Sequence, residues 1–580
     1  MGLTKTKNIN QISTMTTMKR IIIAMAAILA CSSITVDAAV QAKKIIKQMK
    51  KSAGVTITYG LADREESRFG TRIEVCGDKQ RSVSMRPEAM QDFYPKETTY
   101  VDYGKNIYYQ SALLSAEERV SSKREFVVNK GFTVVGDTTL LGFKCKIARI
   151  MINSNTMEVW YTTELGIQAT PTPGWGVTDG VVLRYSRNGQ HVMVAKEIVP
   201  MKQAVDIMPE SMGKEMDPNY YRYALNNCNV ITVPVFDQES VNFTGAKAPE
   251  SIEAGKTYRV GGGSIILKKV TLPESANRDV FVELTQYSRG DAYDRTGSVF
   301  IIPMNKEKSF LDMIKDLKSV PGFTANNGIF YPGLVSMPDY SVPLELMRFF
   351  TGFGVRQFNY QVVPGQKWVD EVLYKMNVTP IASELKGEVI VGAYIGNWDS
   401  NGHSITLNLK YYPGDEDSKI FHNVLPLFNT VNYLEQAGQE YPVFMENGNL
   451  EVKFTMPEDA EDAYLYYITS GHGGWGGGDE FNRKVNTVLL DGEKVISFIP
   501  WRDDCGTYRN NNPCSGNFSN GESSSDLSRS NWCPGTVTNP NYIPLGKVKA
   551  GEHTITVKIP QGPREGGSMS YWCLSGSLIY

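Results

Sequence analysis

The run "VNTVLLDGEKVISFIP", residues 485–500, limits this chain's fold more than any other stretch. Two β-prone segments flank Asp491-Gly492. A two-residue Asp-Gly connection takes φ > 0 at both positions, the twist that joins antiparallel strands tightly. Period-two alternation with turn glycines recurs in "EFVVNKGFTVVGDTTLLGFKCKIARIMI", "MEVWYTTELGI", "DVFVELTQY", "EVIVGAYIGNW" and "SITLNLKYY". "AYLYYITS", "HTITVKIP" and "MSYWCLSGSLIY" add further strands, so the chain reads as mainly β. Helices are expected only at "VQAKKIIKQMKKS", "SFLDMIKDL" and "QKWVDEVLYKM".

A chain of 580 residues needs several domains. Residues 39–200 read as an α+β, β-rich accessory N-terminal domain, and the polar, Met-rich stretch 201–228 reads as a connector. Residues 229–414 and 415–580 are two adjacent all-β regions. Their size predicts tandem eight-stranded-type jelly-roll sandwiches whose loops carry the function.

Ahead of these lies a processed-looking start. Met18-Lys19-Arg20 and the apolar run 21–30 form the n-region and h-region of a secretory signal spanning 1–38. Residues 1–17 fit no part of it and suggest an overlong start. Cleavage after Ala38 and lipidation at Cys31 are both open. The expected location is secreted, periplasmic or outer-membrane associated, either soluble or tethered by lipid, and a monomer is expected. The 60 basic and 62 acidic residues nearly cancel, which speaks against a nucleic-acid partner.

Export permits disulfides. Cys505, Cys514, Cys533 and Cys573 crowd the end of the chain without C-x-x-C grouping, so bridges are favoured over zinc, and spacing alone does not pair them. His191, His403, His422, His472 and His553 show no metal-ligand spacing, so no metal or cofactor is expected.

Three loops carry candidate chemistry. In "GDAYDRTGSVF", Asp294 lies between two strands with Tyr293 before it and Arg295 after; a lone turn aspartate capping backbone amides is the plain reading. In "SGHGGWGGGDEF", residues 470–481, glycines with His472 and Trp475 lead to Asp479, Glu480 and Phe481. A glycine-rich backbone lets a ligand approach closely and ordinary flexible linkers carry Ser, Thr or Asn, yet a structural loop ending in a solvated edge charge is equally open. In "SRSNWCPG", Arg529, Trp532 and Cys533 share a polar loop. Trp398, ending "EVIVGAYIGNW", reads equally as sheet core.

Together these segments resemble the bacterial peptide-N-glycosidase F amidases over most of the last 350 residues. Asp291-Ala292-Tyr293-Asp294-Arg295 is similar to that family's D-x-W-D-R segment. Residues 470–473 followed by Glu480-Phe481 resemble its second acidic segment, and 529–535 its R-x-x-W-C-P-G segment. The resemblance implies Asp294 as principal catalyst, Glu480 as second acid, and Tyr293, Arg295, Trp398, Phe481, Arg529 and Trp532 as substrate contacts. It also implies a Cys505–Cys533 bridge, which leaves Cys514 to pair with Cys573. The implied reaction hydrolyses the asparagine–N-acetylglucosamine amide of an N-glycosylated peptide or protein, releasing the intact glycan and leaving aspartate. A glycoside hydrolase acting on N-glycans and a non-catalytic glycan-binding protein are the alternatives. One departure stands out: Gly396 occupies the position of the family's third acid, and Asp399 nearby belongs to the opposite strand face.

Overall fold

The computed structural model describes residues 38–64, 70–85, 95–414, 420–473, 478–514, 519–562 and 570–580. The expected signal segment, with Cys31, lies outside the described residues apart from Ala38, and so does Trp475. The chain divides into two compact units, Met1–Asn229 and Val230–Tyr580.

In the first unit a helix over 38–49 precedes a twelve-stranded sheet. Gly54–Leu61 pairs antiparallel with Gln190–Met201, so early and late segments close the sheet at its middle. Val55, Ile57, Ile73, Phe143 and Leu183 form its core. The stretch 201–228, expected as a connector, belongs to this unit. Lys214–Glu215 pairs parallel to Arg119–Glu125, and Pro218–Asn227 is a helix capped by Asp217. Its Tyr221 is buried among Ala112 and Val120 and donates to Glu97 Oε1 at 3.0 Å, which anchors the segment.

The second unit is two β-sandwiches. In the first, Ile231–Val241, His403–Pro413, Arg278–Ser288 and Val372–Asn377 form one sheet. The facing sheet holds Thr257–Val260, Ile265–Leu272, Gly387–Ile395, Thr296–Ile302, Leu344–Phe350 and Val537–Thr538. The second sandwich packs Val424–Asn429, Tyr571–Ile579, Ala460–His472 and Asn541–Val548 against Leu450–Met456, Gly551–Lys558, Asn486–Leu490 and Glu493–Phe498. The hairpin turn takes φ of 52° at Asp491 and 86° at Gly492, as its sequence requires.

The helix expected over 366–376 is not formed. Val372, Tyr374 and Met376 are buried while Leu373, Lys375 and Asn377 face solvent, and Val372–Asn377 pairs with Arg278–Ser288. The period-two burial outweighs the helix-like run of Lys, Glu and Met. The other expected helix in this unit survives as Phe310–Lys315, started by a Ser309–Asp312 capping box.

Val537–Thr538, from the second sandwich's part of the chain, pairs with Leu344–Phe350 of the first. Beneath that crossing lies a buried ion pair. Arg348 donates to Glu345 through Nε at 3.1 Å and Nη2 at 2.6 Å. Its Nη1 reaches Ser470 Oγ and the Cys573 carbonyl on strands of the second sandwich. Ser298 and Ser575, one from each sandwich, donate to the Glu345 carboxylate. With both ions fully paired, the desolvation is offset and the two sandwiches are registered. Arg348→Met alone strands a buried carboxylate and should lower unfolding free energy by about 3–5 kcal/mol in urea titrations. Replacing Glu345 by Gln in the same chain should recover part of that loss.

Candidate active site

The loop after Arg278–Ser288 is fixed before Asp294 is placed. Arg289 and Gly290 donate their backbone amides to the Gly402 carbonyl at 2.9 and 3.1 Å. The buried Asp291 carboxylate then accepts from the Tyr293 amide at 3.1 Å and from Arg295 Nε at 2.7 Å, with His403 Nε2 3.5 Å away. Burial would raise this carboxyl, but His403 and Arg295 outweigh it and hold Asp291 at about 2. Thr351 Oγ1 closes the turn, accepting from the Arg295 amide and donating to the Tyr293 carbonyl, both at 2.8 Å. The Asp294 side chain takes no part in these anchoring bonds.

On the second sandwich the adjacent acids divide their tasks. Asp479 is buried, accepting from Gly562 N at 3.0 Å and Trp572 Nε1 at 2.8 Å. Ser530 donates its amide to the Glu480 carbonyl at 2.9 Å and its hydroxyl to the Asp479 carbonyl. Gly473, at φ 75°, turns the chain out of Ala460–His472 and accepts from the Glu480 amide at 3.4 Å. Glu480 therefore projects where Asp479 cannot.

The two free carboxylates meet at one cation. Arg529 Nη1 lies 3.4 Å from Asp294 Oδ2 and also donates to Glu480 Oε1. Its Nη2 donates to the Ser524 carbonyl at 2.8 Å. The guanidinium is wedged between Phe481 and Trp532, with its carbon 5.0 and 4.5 Å from the ring centroids. Trp532 is held in turn by Phe350, stacked at 4.5 Å, and by its indole N–H on the Gly471 carbonyl at 2.9 Å. The Cys505–Cys533 disulfide ties this loop down.

Both acids open onto a cleft of about 400 Å³ between the sandwiches. Tyr293, Arg295, Tyr394, Trp398, Glu435, His472, Trp532 and Tyr571 are among its walls. Burial pushes the Glu480 carboxyl up to about 7, with Arg529 opposing and Asp294 adding to the rise. Asp294 is also raised, by burial against the pull of Arg529. At neutral pH such a pair suits one ionised carboxylate beside one protonated acid. Burial holds the His472 imidazole well below its ordinary value, so it stays neutral beside Ser470 Oγ at 2.8 Å.

Other expectations need correction. Arg529 and Phe481 do not line the cleft; the guanidinium is only 2% exposed, beneath the acids, and Phe481 covers it. Trp398, for which sheet core was the alternative to a substrate contact, is 52% exposed and lines the cleft. Cys514 and Cys573 are unbridged. Cys573 is buried in Tyr571–Ile579, whereas the Cys514 amide donates to the Phe353 carbonyl and its Cβ packs on Gly354. Gly396 lines the cleft, yet a Cβ there would sit 2.5 Å from the Tyr394 hydroxyl, so the tyrosine fills the space a third acid needs. Asp399 caps its own turn, accepting from Asn401 and Gly402 at 2.7 Å. A carboxylate that sequence reasoning missed, Glu435, reaches the cleft from a 3-10 turn, Glu435–Ala437. The cleft walls raise its carboxyl while Arg295 opposes the rise. No group of metal-binding side chains occurs among the described residues.

The fold and the paired acids define the class. Residues 232–411 and 440–579 match the N-terminal and C-terminal models of peptide-N-glycosidase F, and 72–223 match the N-glycanase peptide N-terminal domain. The chain belongs to the peptide-N-glycosidase F family. It is similar to PNGF-II in two crystal forms, each at 40% identity over 91% of this chain. One covers 99% of the PNGF-II chain at a TM-score of 0.82, the other 98% at 0.74. No curated protein matches it. The family relation makes it an N-glycanase in the broad sense.

The Asp291 anchor has a pH signature. Its folded carboxyl is depressed, so its contribution to stability is present above the unfolded aspartate value of 3.8 and is lost as pH falls toward about 2. Asp291→Asn should lower stability at neutral pH and flatten its decline across that acid window, read by urea midpoints at successive pH values.

Proposed function

We propose that this chain hydrolyses the amide joining asparagine to the first N-acetylglucosamine of an N-linked glycan. The peptide keeps an aspartate, and the glycan leaves intact as a glycosylamine that then loses ammonia. The observation that carries this reading is the convergence of Asp294 and Glu480 on Arg529 at the wall of one cleft.

Amide hydrolysis asks for a base to take a proton from water and a donor to polarise the carbonyl. Asp294, ionised beside Arg529 and Arg295, takes the water proton. Glu480, protonated below about 7, donates toward the amide oxygen. Arg529 holds both acids in reach and spreads its charge over whichever is ionised. Arg295, pinned by Asp291, faces the cleft as a fork for sugar or amide oxygens. Glu435 supplies a further carboxylate at the cleft, in place of the acid that Gly396 lacks. Tyr293 and Trp398 offer exposed ring faces for sugar C–H surfaces. The signal-like segment 1–38 and a disulfide suited to an oxidising compartment support an exported enzyme.

Incubation with a defined glycopeptide, followed by peptide mass measurement, tests the reaction. An aspartate in place of the glycosylated asparagine agrees with it; a peptide keeping one N-acetylglucosamine identifies a glycoside hydrolase instead. Asp294→Asn should lower kcat by about a hundredfold or more at unchanged fold. In the wild type kcat/KM should fall as pH rises through about 7, as the Glu480 proton is lost. Glu480→Gln should remove that limb from the profile.

A further inference from the structure

The reaction cleft, about 400 Å³, is too small to enclose a branched glycan together with its peptide, so part of the substrate lies outside it. A second cavity of about 690 Å³ adjoins it within the same unit. Two residue pairs join them. Trp398 lines the first cavity and packs on Phe243 of the second, with ring centroids 5.5 Å apart. Glu435 faces the first, and its neighbour Gln436 faces the second.

The wall of this second cavity is built rather than loose. The Phe243 amide donates to the Asp399 carbonyl at 2.9 Å, and Asn242 Nδ2 to the Ser400 carbonyl at 2.7 Å, fixing Phe243 beside Trp398. Thr244 and Gly245 donate their amides to the Gly262 carbonyl at 2.8 and 3.0 Å. Gly262, at φ 70°, lies so close to Gln436 that a Cβ there would meet its side chain. Gln436 Nε2 is taken by the Asn397 carbonyl, while its buried Oε1 has no hydrogen-bond partner among the described residues. Lys247, Lys315 and Glu250 add charged groups to a lining otherwise of small and apolar residues with Gln436.

We propose that this cavity binds sugars of the glycan beyond the N-acetylglucosamine that is cleaved, an assignment that rests on the N-glycan reading above. A pyranose presents apolar C–H faces and polar hydroxyl edges. The exposed rings of Trp398 and Phe243 fit the faces. The lysine ammonium groups fit hydroxyl acceptors, and the Glu250 carboxylate fits hydroxyl donors. A peptide arm seeks backbone partners, and here the amides of Thr244 and Gly245 are already engaged.

Calorimetric titration of the full chain with free oligosaccharides tests this without requiring turnover. A whole high-mannose glycan should bind about 3- to 10-fold tighter than the two-sugar N-acetylglucosamine core. Phe243→Ala, and separately Ala248→Trp, which fills the cavity, should erase most of that difference. Equal affinity of the two sugars for the unaltered chain, or a difference that survives both variants, overturns the proposal. Failure of the amidase reading shows itself separately, as an uncleaved glycopeptide with this binding difference intact.

Discussion

The Arg529 guanidinium, clasped by Phe481 and Trp532, is nearly sealed from water and yet contacts a carboxylate from each of two sandwiches. A cation in that position requires negative partners, since a buried unpaired charge is far more costly than a buried pair. Asp294 and Glu480 meet the requirement, and their placement follows from it. The surrounding loops are arranged to keep those acids free: Asp291 and Asp479, their near neighbours in sequence, are consumed by internal hydrogen bonds.

This division of labour explains why each acidic segment carries two carboxylates. One of each pair anchors its loop and the other faces the cleft. The anchor on the first sandwich lies among His403, Arg295 and the Gly402 carbonyl. The anchor on the second uses Trp572 and the Gly562 amide. Registry between the sandwiches comes from Glu345 and Arg348 beneath, and from Val537–Thr538, which carries the chain from the Arg529 loop onto the first sandwich's sheet.

Much of the scaffold was legible in the sequence because its rules are local. The Asp491-Gly492 turn needs only two residues, and alternation such as that of Arg278–Ser288 reports its own buried face. Residues 366–376 misled because the edge strand there mixes good helix formers with its alternating Val372, Tyr374 and Met376. The helix Pro218–Asn227 was missed, because the polar make-up of 201–228 reads as a connector, although Asp217 as cap and a proline at the first position are start signals. The site divides in the same way. Asp294 alone reads as a turn residue and the loop before Glu480 as ligand or structural loop; it is the family resemblance that singles both acids out. The depth of Arg529, the unpaired states of Cys514 and Cys573, and the arrival of Glu435 depend on contacts between distant segments, which no spacing records.

The two acids share one enclosed space and feel each other's charge. Titrating the Glu480 carboxyl by carbon NMR, in the unaltered chain and in one carrying Asp294→Asn, measures this directly. Removing the aspartate charge should let the Glu480 value drop from about 7 toward, without reaching, its ordinary 4.5, since burial persists. An unchanged titration would mean that the two carboxylates do not face one another, and the account would fail.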